Sequence, residues 1–202
     1  MDAVAQEALA LDISGLPAAS QLTLKNIDFA FITGDKATIQ FTGVGQSTVF
    51  GGSGNQHISL GDGGGALHGG AGDDTLTAGS GNAQLYGGAG NDMLTGGAGN
   101  DTLVGGSGND TVVFSGNFAD YGISFFGGAT KKFTVTDKTL DRDGTDIVSN
   151  VEHFQFLDKS FTNTELQAIV TADPGPSTAV VLAGVAAGGA SIGFLTGWWF
   201  FL

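Results

Sequence analysis

Cysteine is absent from these 202 residues, so neither disulfides nor thiolate metal sites can hold the fold, and redox compartment cannot be read from the chain. Basic residues are scarce too: 7 Lys and Arg stand against 20 Asp and Glu, a formal charge of −13. Such a surface repels nucleic acid and anionic membranes, and it favours cations as partners. Proline occurs only 3 times against 36 glycines, which lack the triplet period of collagen. That much glycine also excludes a close-packed helical domain and leaves a turn-dominated repeat. The length suits one principal unit with a cap rather than several independent cores.

Catalytic signatures are missing as well. His57, His68 and His153 are isolated in sequence and form no H-E-x-x-H zinc site, and His68 is expected in a turn. The G-x-S-x-G string around Ser191, from Gly189 to Gly193, has no histidine after it to complete a triad. The first 32 residues are too few for an attached catalytic domain. The chain is therefore not expected to be an enzyme. Met1 to Pro17 has neither basic residues nor a long apolar core, unlike a cleavable export signal.

What the sequence does contain is a nine-residue frame running without insertion from Thr42 to Val113. Its blocks read TGVGQSTVF, GGSGNQHIS, LGDGGGALH, GGAGDDTLT, AGSGNAQLY, GGAGNDMLT, GGAGNDTLV and GGSGNDTVV. The eighth position is always aliphatic: Val49, Ile58, Leu67, Leu76, Leu85, Leu94, Leu103 and Val112. A flexible Gly-rich linker would not hold such a phase. The pattern predicts six turn-forming residues followed by a three-residue strand whose central side chain points inward. Two such units make one coil of a flattened helix, and stacked coils bury one aliphatic strip. Glycines at positions 1, 2 and 4 permit positive φ, and asparagine at position 5 tolerates the left-handed region.

These blocks resemble the RTX family, whose repeat is G-G-x-G-x-D-x-U-x with U a large aliphatic residue; the match is closest at Gly69 to Thr77 and from Gly87 through Val113. The resemblance implies an all-β chain: a right-handed parallel β-roll with Ca2+ bound between turns. A small β-rich C-terminal segment would cap it, ahead of an apolar tail compatible with a helix. It further implies that the ligands are position-6 aspartates and carbonyls of the glycine turns, a donor set suited to a hard cation. Those positions are Asp74 with Gly70 and Gly72, Asp92 with Gly88 and Gly90, Asp101 with Gly97 and Gly99, and Asp110 with Gly106 and Gly108.

With two blocks per coil, Asp74, Asp92 and Asp110 form one column, whereas the other edge carries Gly65, Ala83 and Asp101. Two good sites are expected on the first edge and at most one weaker site on the second. Carboxylates in coils about 4.8 Å apart repel by roughly 3–4 kcal/mol at an effective dielectric of about 20, and a cation between them reverses the sign. Folding and binding should therefore be one event, with the roll largely disordered until calcium is added.

The expected division is an N-terminal capping segment over 1–32, the roll over 33–115, a β-rich cap over 116–171 and an apolar tail over 172–202. Blocks between Thr33 and Ser59 lack position-6 aspartates and should stack on aliphatic contacts alone. Beyond Phe118, YGISFF, KKFTVTD and VEHFQFLD alternate as half-buried strands. The run DGTDIVSNVEHFQFLD resembles the segment that commonly follows RTX repeats. Asp141, Asp143 and Asp146 do not match an EF-hand loop and read better as a polar hairpin turn than as a further ion site.

Ser177 to Leu202 carries no charged side chain, and Gly189, Gly193 and Gly197 recur at GxxxG spacing ahead of Trp198 and Trp199. Membrane contact through 177–202 is one reading. An uncleaved C-terminal export signal, as in related RTX proteins, is the other, with export machinery of the type I kind as partner. The functional expectation is a secreted, extracellular calcium-binding module. Its alternatives are a membrane-active or surface-anchored adhesin or toxin fragment, or the terminal piece of a larger secreted enzyme.

Overall fold

Each block ends in a short strand and reverses at its glycines, so successive strands fall into opposite sheets and like positions stack. A computed structural model describes residues 8–17, 20–25, 27–34, 38–42, 45–128 and 131–172. The odd strands of the repeat region are β1 (Ala8–Asp12), β3 (Phe29–Thr33), β5 (Ser47–Phe50), β7 (Gly65–Ala71), β9 (Ala83–Ala89) and β11 (Thr102–Ser107). The even ones are β2 (Gln21–Lys25), β4 (Thr38–Thr42), β6 (His57–Ser59), β8 (Thr75–Thr77), β10 (Met93–Thr95) and β12 (Thr111–Val113). Neighbours within each set pair in parallel, which is the expected all-β solenoid of stacked coils.

The register places the eighth positions in two facing columns. Val49, Leu67, Leu85 and Leu103 are in line on one sheet, and Ile58, Leu76, Leu94 and Val112 on the other, all at 0% exposure. Burying each such side chain contributes roughly 1.5–3 kcal/mol, which opposes the entropy lost in ordering the glycine turns. Outside, Phe50, His68 and Tyr86 at position 9 stack nearly flat, with ring centroids 4.5 and 4.6 Å apart. His68 thus lies on strand β7 and not in a turn as expected, and partial burial in this stack pushes its pKa down.

Parallel coiling reaches further than the repeat frame suggested. β1 to β4 already belong to the two sheets, so stacking starts at Ala8, within the segment expected to be a separate cap. Strands β7 and β9 exceed three residues because main-chain pairing continues through Gly70 and Gly88. The asparagines at position 5 are not left-handed: among the described residues only Asp141 and Asn150 combine a side chain with positive φ.

After β12 the chain forms an antiparallel hairpin of β13 (Tyr121–Phe126) and β14 (Lys132–Asp137), then re-enters the roll. β15 (Thr145–Ser149) pairs in parallel with β11, and β16 (His153–Gln155) with β12. Val148 continues the column of Leu103, and Phe154 that of Val112, both at 0% exposure. Residues 145–155 are therefore one more coil, shifted along the chain by the hairpin. β14 covers β15 and β17 (Ser160–Thr162) covers β16, both antiparallel, so at its C-terminal end neither parallel sheet finishes on a bare coil strand. Helix α1 (Asn163–Ala172), which the sequence reading missed, buries Leu166 beside β13, β16 and β17. No helix among the described residues is long and apolar enough to cross a membrane, and the 177–202 tail lies outside them.

Candidate metal centre

Positions 5 and 6 of the repeat tie the coils together in opposite directions. At position 6, Oδ1 of each aspartate accepts a backbone N–H from the preceding coil: Asp74 from Gln56 (2.7 Å), Asp92 from Asp74 (2.8 Å) and Asp110 from Asp92 (2.9 Å). At position 5 the acceptor lies in the earlier coil: Asn55 takes the Asp73 N–H, Asp73 that of Asn91, and Asn91 that of Asn109, at 2.8–2.9 Å. Asparagine is thus used as an interstrand acceptor, with glycine supplying the left-handed turns.

Each position-6 aspartate is almost wholly buried, and only half of its carboxylate is satisfied. Oδ2 of Asp74, Asp92, Asp101 and Asp110 has no hydrogen-bond partner. A buried polar atom left without a partner costs about 1–3 kcal/mol, and more when charged. Burial drives the carboxyl pKa up to about 7 for Asp74 and Asp101 and about 6 for Asp110, reinforced by neighbouring carboxylates; Asp92 is raised for the same first reason.

The unpartnered oxygens sit against main chain. A Cβ at Gly69 would run into Asp74 Oδ2 and lie 2.6 Å from the Gly87 carbonyl oxygen. One at Gly87 would meet Asp92 Oδ2 and the Gly105 carbonyl in the same way. At Gly105 it would meet Asp110 Oδ2 and the Asn150 carbonyl, and at Gly96 it would meet Asp101 Oδ2. The position-1 glycines, absent from the sequence-derived ligand set, therefore frame these oxygens. The glycines that were in that set, Gly70, Gly72, Gly88, Gly90, Gly97, Gly99, Gly106 and Gly108, all adopt positive φ, between 77° and 136°. At Gly88 a side chain would collide with the Gly70 carbonyl of the coil before it, so close stacking there requires glycine.

Among the described residues no three His, Cys, Asp or Glu side chains converge as a metal cluster. A cation here would take one or two carboxylates and complete its shell with carbonyl oxygens, the preference of Ca2+ rather than of zinc. Buried orphan oxygens, carbonyls alongside and turns too tight for a Cβ fit such an ion. As expected, Asp74, Asp92 and Asp110 share one edge, and Asp101 lies on the other.

Both ladders continue beyond the repeats. On the first edge Glu152 Oε2 accepts the Asp110 N–H at 2.9 Å. On the second, Asp101 Oδ1 accepts from Ala83 (2.7 Å) and Asp146 Oδ1 from Asp101 (2.9 Å), while Asn100 Oδ1 accepts from Thr145 (2.9 Å). Asp146 is 1% exposed and lies on β15 rather than in a hairpin turn. Burial drives its pKa up to about 8, with Asp101 and Asp143 adding to the shift. The turn reading holds for Asp141, which is exposed at φ 56°. Asp143 is buried, accepting from Tyr121 Oη and from the Ser115 N–H at 2.7 Å. The sequence held the signal for Asp146: Gly144-Thr145-Asp146-Ile147-Val148 repeats the G-x-D-x-U spacing of the nonapeptide.

The model of the family described as RTX calcium-binding nonapeptide repeat (4 copies) matches residues 60–82 and 78–112. No curated protein matches the chain.

Proposed function

Because the chain carries RTX calcium-binding nonapeptide repeats, we propose that it is a secreted calcium-binding module whose roll folds as it takes up Ca2+ between coils. The supporting observation is the column of Asp74, Asp92 and Asp110, each with one oxygen tied to the neighbouring coil and one buried without a partner. Asp74, Asp92, Asp101 and Asp110 would hold the ions, together with carbonyls of the glycine turns. Without metal, burial and mutual repulsion oppose these charges; with metal, the same charges join the coils.

Such a chain remains open where calcium is scarce and closes where it is abundant, which suits export through a narrow channel followed by folding outside the cell. Extracellular calcium modules work at dissociation constants of about 10⁻⁴–10⁻³ M. The role is binding and structural rather than catalytic, with calcium as the cofactor. In this reading 8–155 is the roll, 156–172 together with the inserted hairpin is its cap, and the segment beyond serves export.

The test is a calcium titration of the metal-free chain followed by far-ultraviolet circular dichroism, with magnesium as control. A cooperative gain of β signal specific to calcium is expected. An equal response to magnesium, or none to calcium, would overturn the assignment.

A further inference from the structure

The second edge was expected to hold at most one weak site, because Asp101 is its only position-6 aspartate within the repeats. The structure adds another carboxylate from 45 residues further along the chain. Asp146 takes position 6 of the returning coil, in line with Ala83 and Asp101, and its Oδ1 accepts the Asp101 N–H just as Asp92 accepts that of Asp74. The main chain keeps the same step: the Asp101 carbonyl accepts the Ile147 N–H at 2.8 Å, and the Gly99 carbonyl accepts that of Thr145 at 3.2 Å.

Asp101 has the same unmet demand as the aspartates of the first edge. Asp101 is 2% exposed, and its Oδ2 lies over Gly96 with no hydrogen-bond partner. Asp143 adds a nearby carboxylate already engaged by Tyr121 and Ser115. Arg142, the basic residue closest in sequence, is committed elsewhere: it donates to both Asp137 oxygens at 2.6 and 2.7 Å and pairs with Asp120 at 3.2 Å. Among the described residues no ion pair engages Asp101 or Asp146.

We propose that Asp146 completes a calcium site with Asp101 on the second edge, so that ion uptake there seats the post-repeat segment on the roll. This rests on the calcium reading above and extends it to a residue outside the nonapeptides. The site differs in kind from those of the first edge: Asp74, Asp92 and Asp110 join consecutive coils of one repeat array, whereas Asp101 and Asp146 join the array to the returning coil on which the cap is built. An ion there closes the loop formed by the β13–β14 hairpin and makes capping calcium-dependent.

The experiment counts ions by equilibrium dialysis of the full chain at saturating calcium and maps the cap by trypsin cleavage at Lys131 and Lys132. Asp146→Asn keeps the Oδ1 acceptor for the Asp101 N–H and removes the charge; Asp101→Asn removes the other half. Each variant should bind one ion fewer than wild type and retain the cooperative β signal of the first edge. In Asp146→Asn the hairpin lysines should stay cleavable in calcium while wild type is protected. A wild-type ion count in either variant overturns the proposal. So does loss of every ion in both, which would make the pair a condition of folding rather than one site. If wild type itself takes up no calcium, the general reading fails; if Asp92→Asn loses ions and Asp146→Asn does not, only this inference fails.

Discussion

Asp92 accepts the backbone N–H of Asp74 on Oδ1 at 2.8 Å and keeps Oδ2 buried without a partner. One carboxylate thus joins two coils by a hydrogen bond and offers a free oxygen beside the Gly105 carbonyl. Asp92 is the middle member of the column, so it borders the gap on each side.

Asp92→Asn preserves the hydrogen-bonding oxygen and removes the charge. It should raise the calcium midpoint of the circular dichroism transition by at least about tenfold, equivalent to ~1.4 kcal/mol. Asp141→Asn, at an exposed turn outside the column, should leave the midpoint unchanged within about twofold. Equal midpoints for the two variants would remove the position-6 column from the binding site.

The metal-free roll should respond to acid in the direction opposite to an ordinary salt-bridged protein. Burial raises Asp74 and Asp101 to about 7, Asp110 to about 6 and Asp146 to about 8. Between the ordinary aspartate value of about 3.9 and these values the folded chain holds more protons than the unfolded one, so its stability falls as pH rises. With chelator present, β signal should be greater near pH 4.5 than near pH 8, and calcium should lose its effect at the acid end as protons replace it. A metal-free chain that gains structure on going from acid to neutral pH would contradict the buried carboxylate column.

The repeat region was legible because a side chain recurring every nine residues has one simple explanation, and Leu67, Leu76, Leu85 and Leu94 take the inward positions that phase implies. The position-6 aspartates were legible for the same reason. The returning coil was not, because the hairpin of β13 and β14 breaks the nine-residue count before Asp146, and the next turn is too short to restore it before Glu152. The coil before Thr33 escaped notice because Gly15 and Gly34 stand singly in its turns and set up no nine-residue count. The outward stack of Phe50, His68 and Tyr86 was hidden in plain sight: the residues share position 9, but their types differ. Asparagine at position 5 was assigned to backbone conformation, whereas its side chain reaches the next coil; composition alone does not separate those uses.

Leu85 is fully buried between Leu67 and Leu103 in the middle of the strip. Leu85→Ala should destabilise the calcium-loaded protein by about 2–5 kcal/mol, since flanking glycine turns leave little that can collapse into the gap. Leu140→Ala, at an 86% exposed loop position, should stay within about 0.5 kcal/mol of wild type. Chemical denaturation in saturating calcium checks both, and similar values for the two would deny that the strip is a packed core.

Gly144 opens the returning coil at φ 67°, and a Cβ there would collide with the Gly99 carbonyl that accepts the Thr145 N–H. Both the left-handed backbone and the close approach require glycine, so Gly144→Ala should destabilise the protein by roughly 1–3 kcal/mol. Gly122→Ala is the matched control: it lies exposed on β13, where an added Cβ meets nothing nearer than the Thr136 carbonyl at 3.9 Å, and it should change stability by less than about 0.5 kcal/mol. Thermal unfolding in saturating calcium separates the two. Because Gly144 stands two residues before Asp146, its variant should also expose Lys131 and Lys132 to trypsin. Full protection of those lysines in Gly144→Ala would mean that the coil begun at Gly144 does not seat the cap.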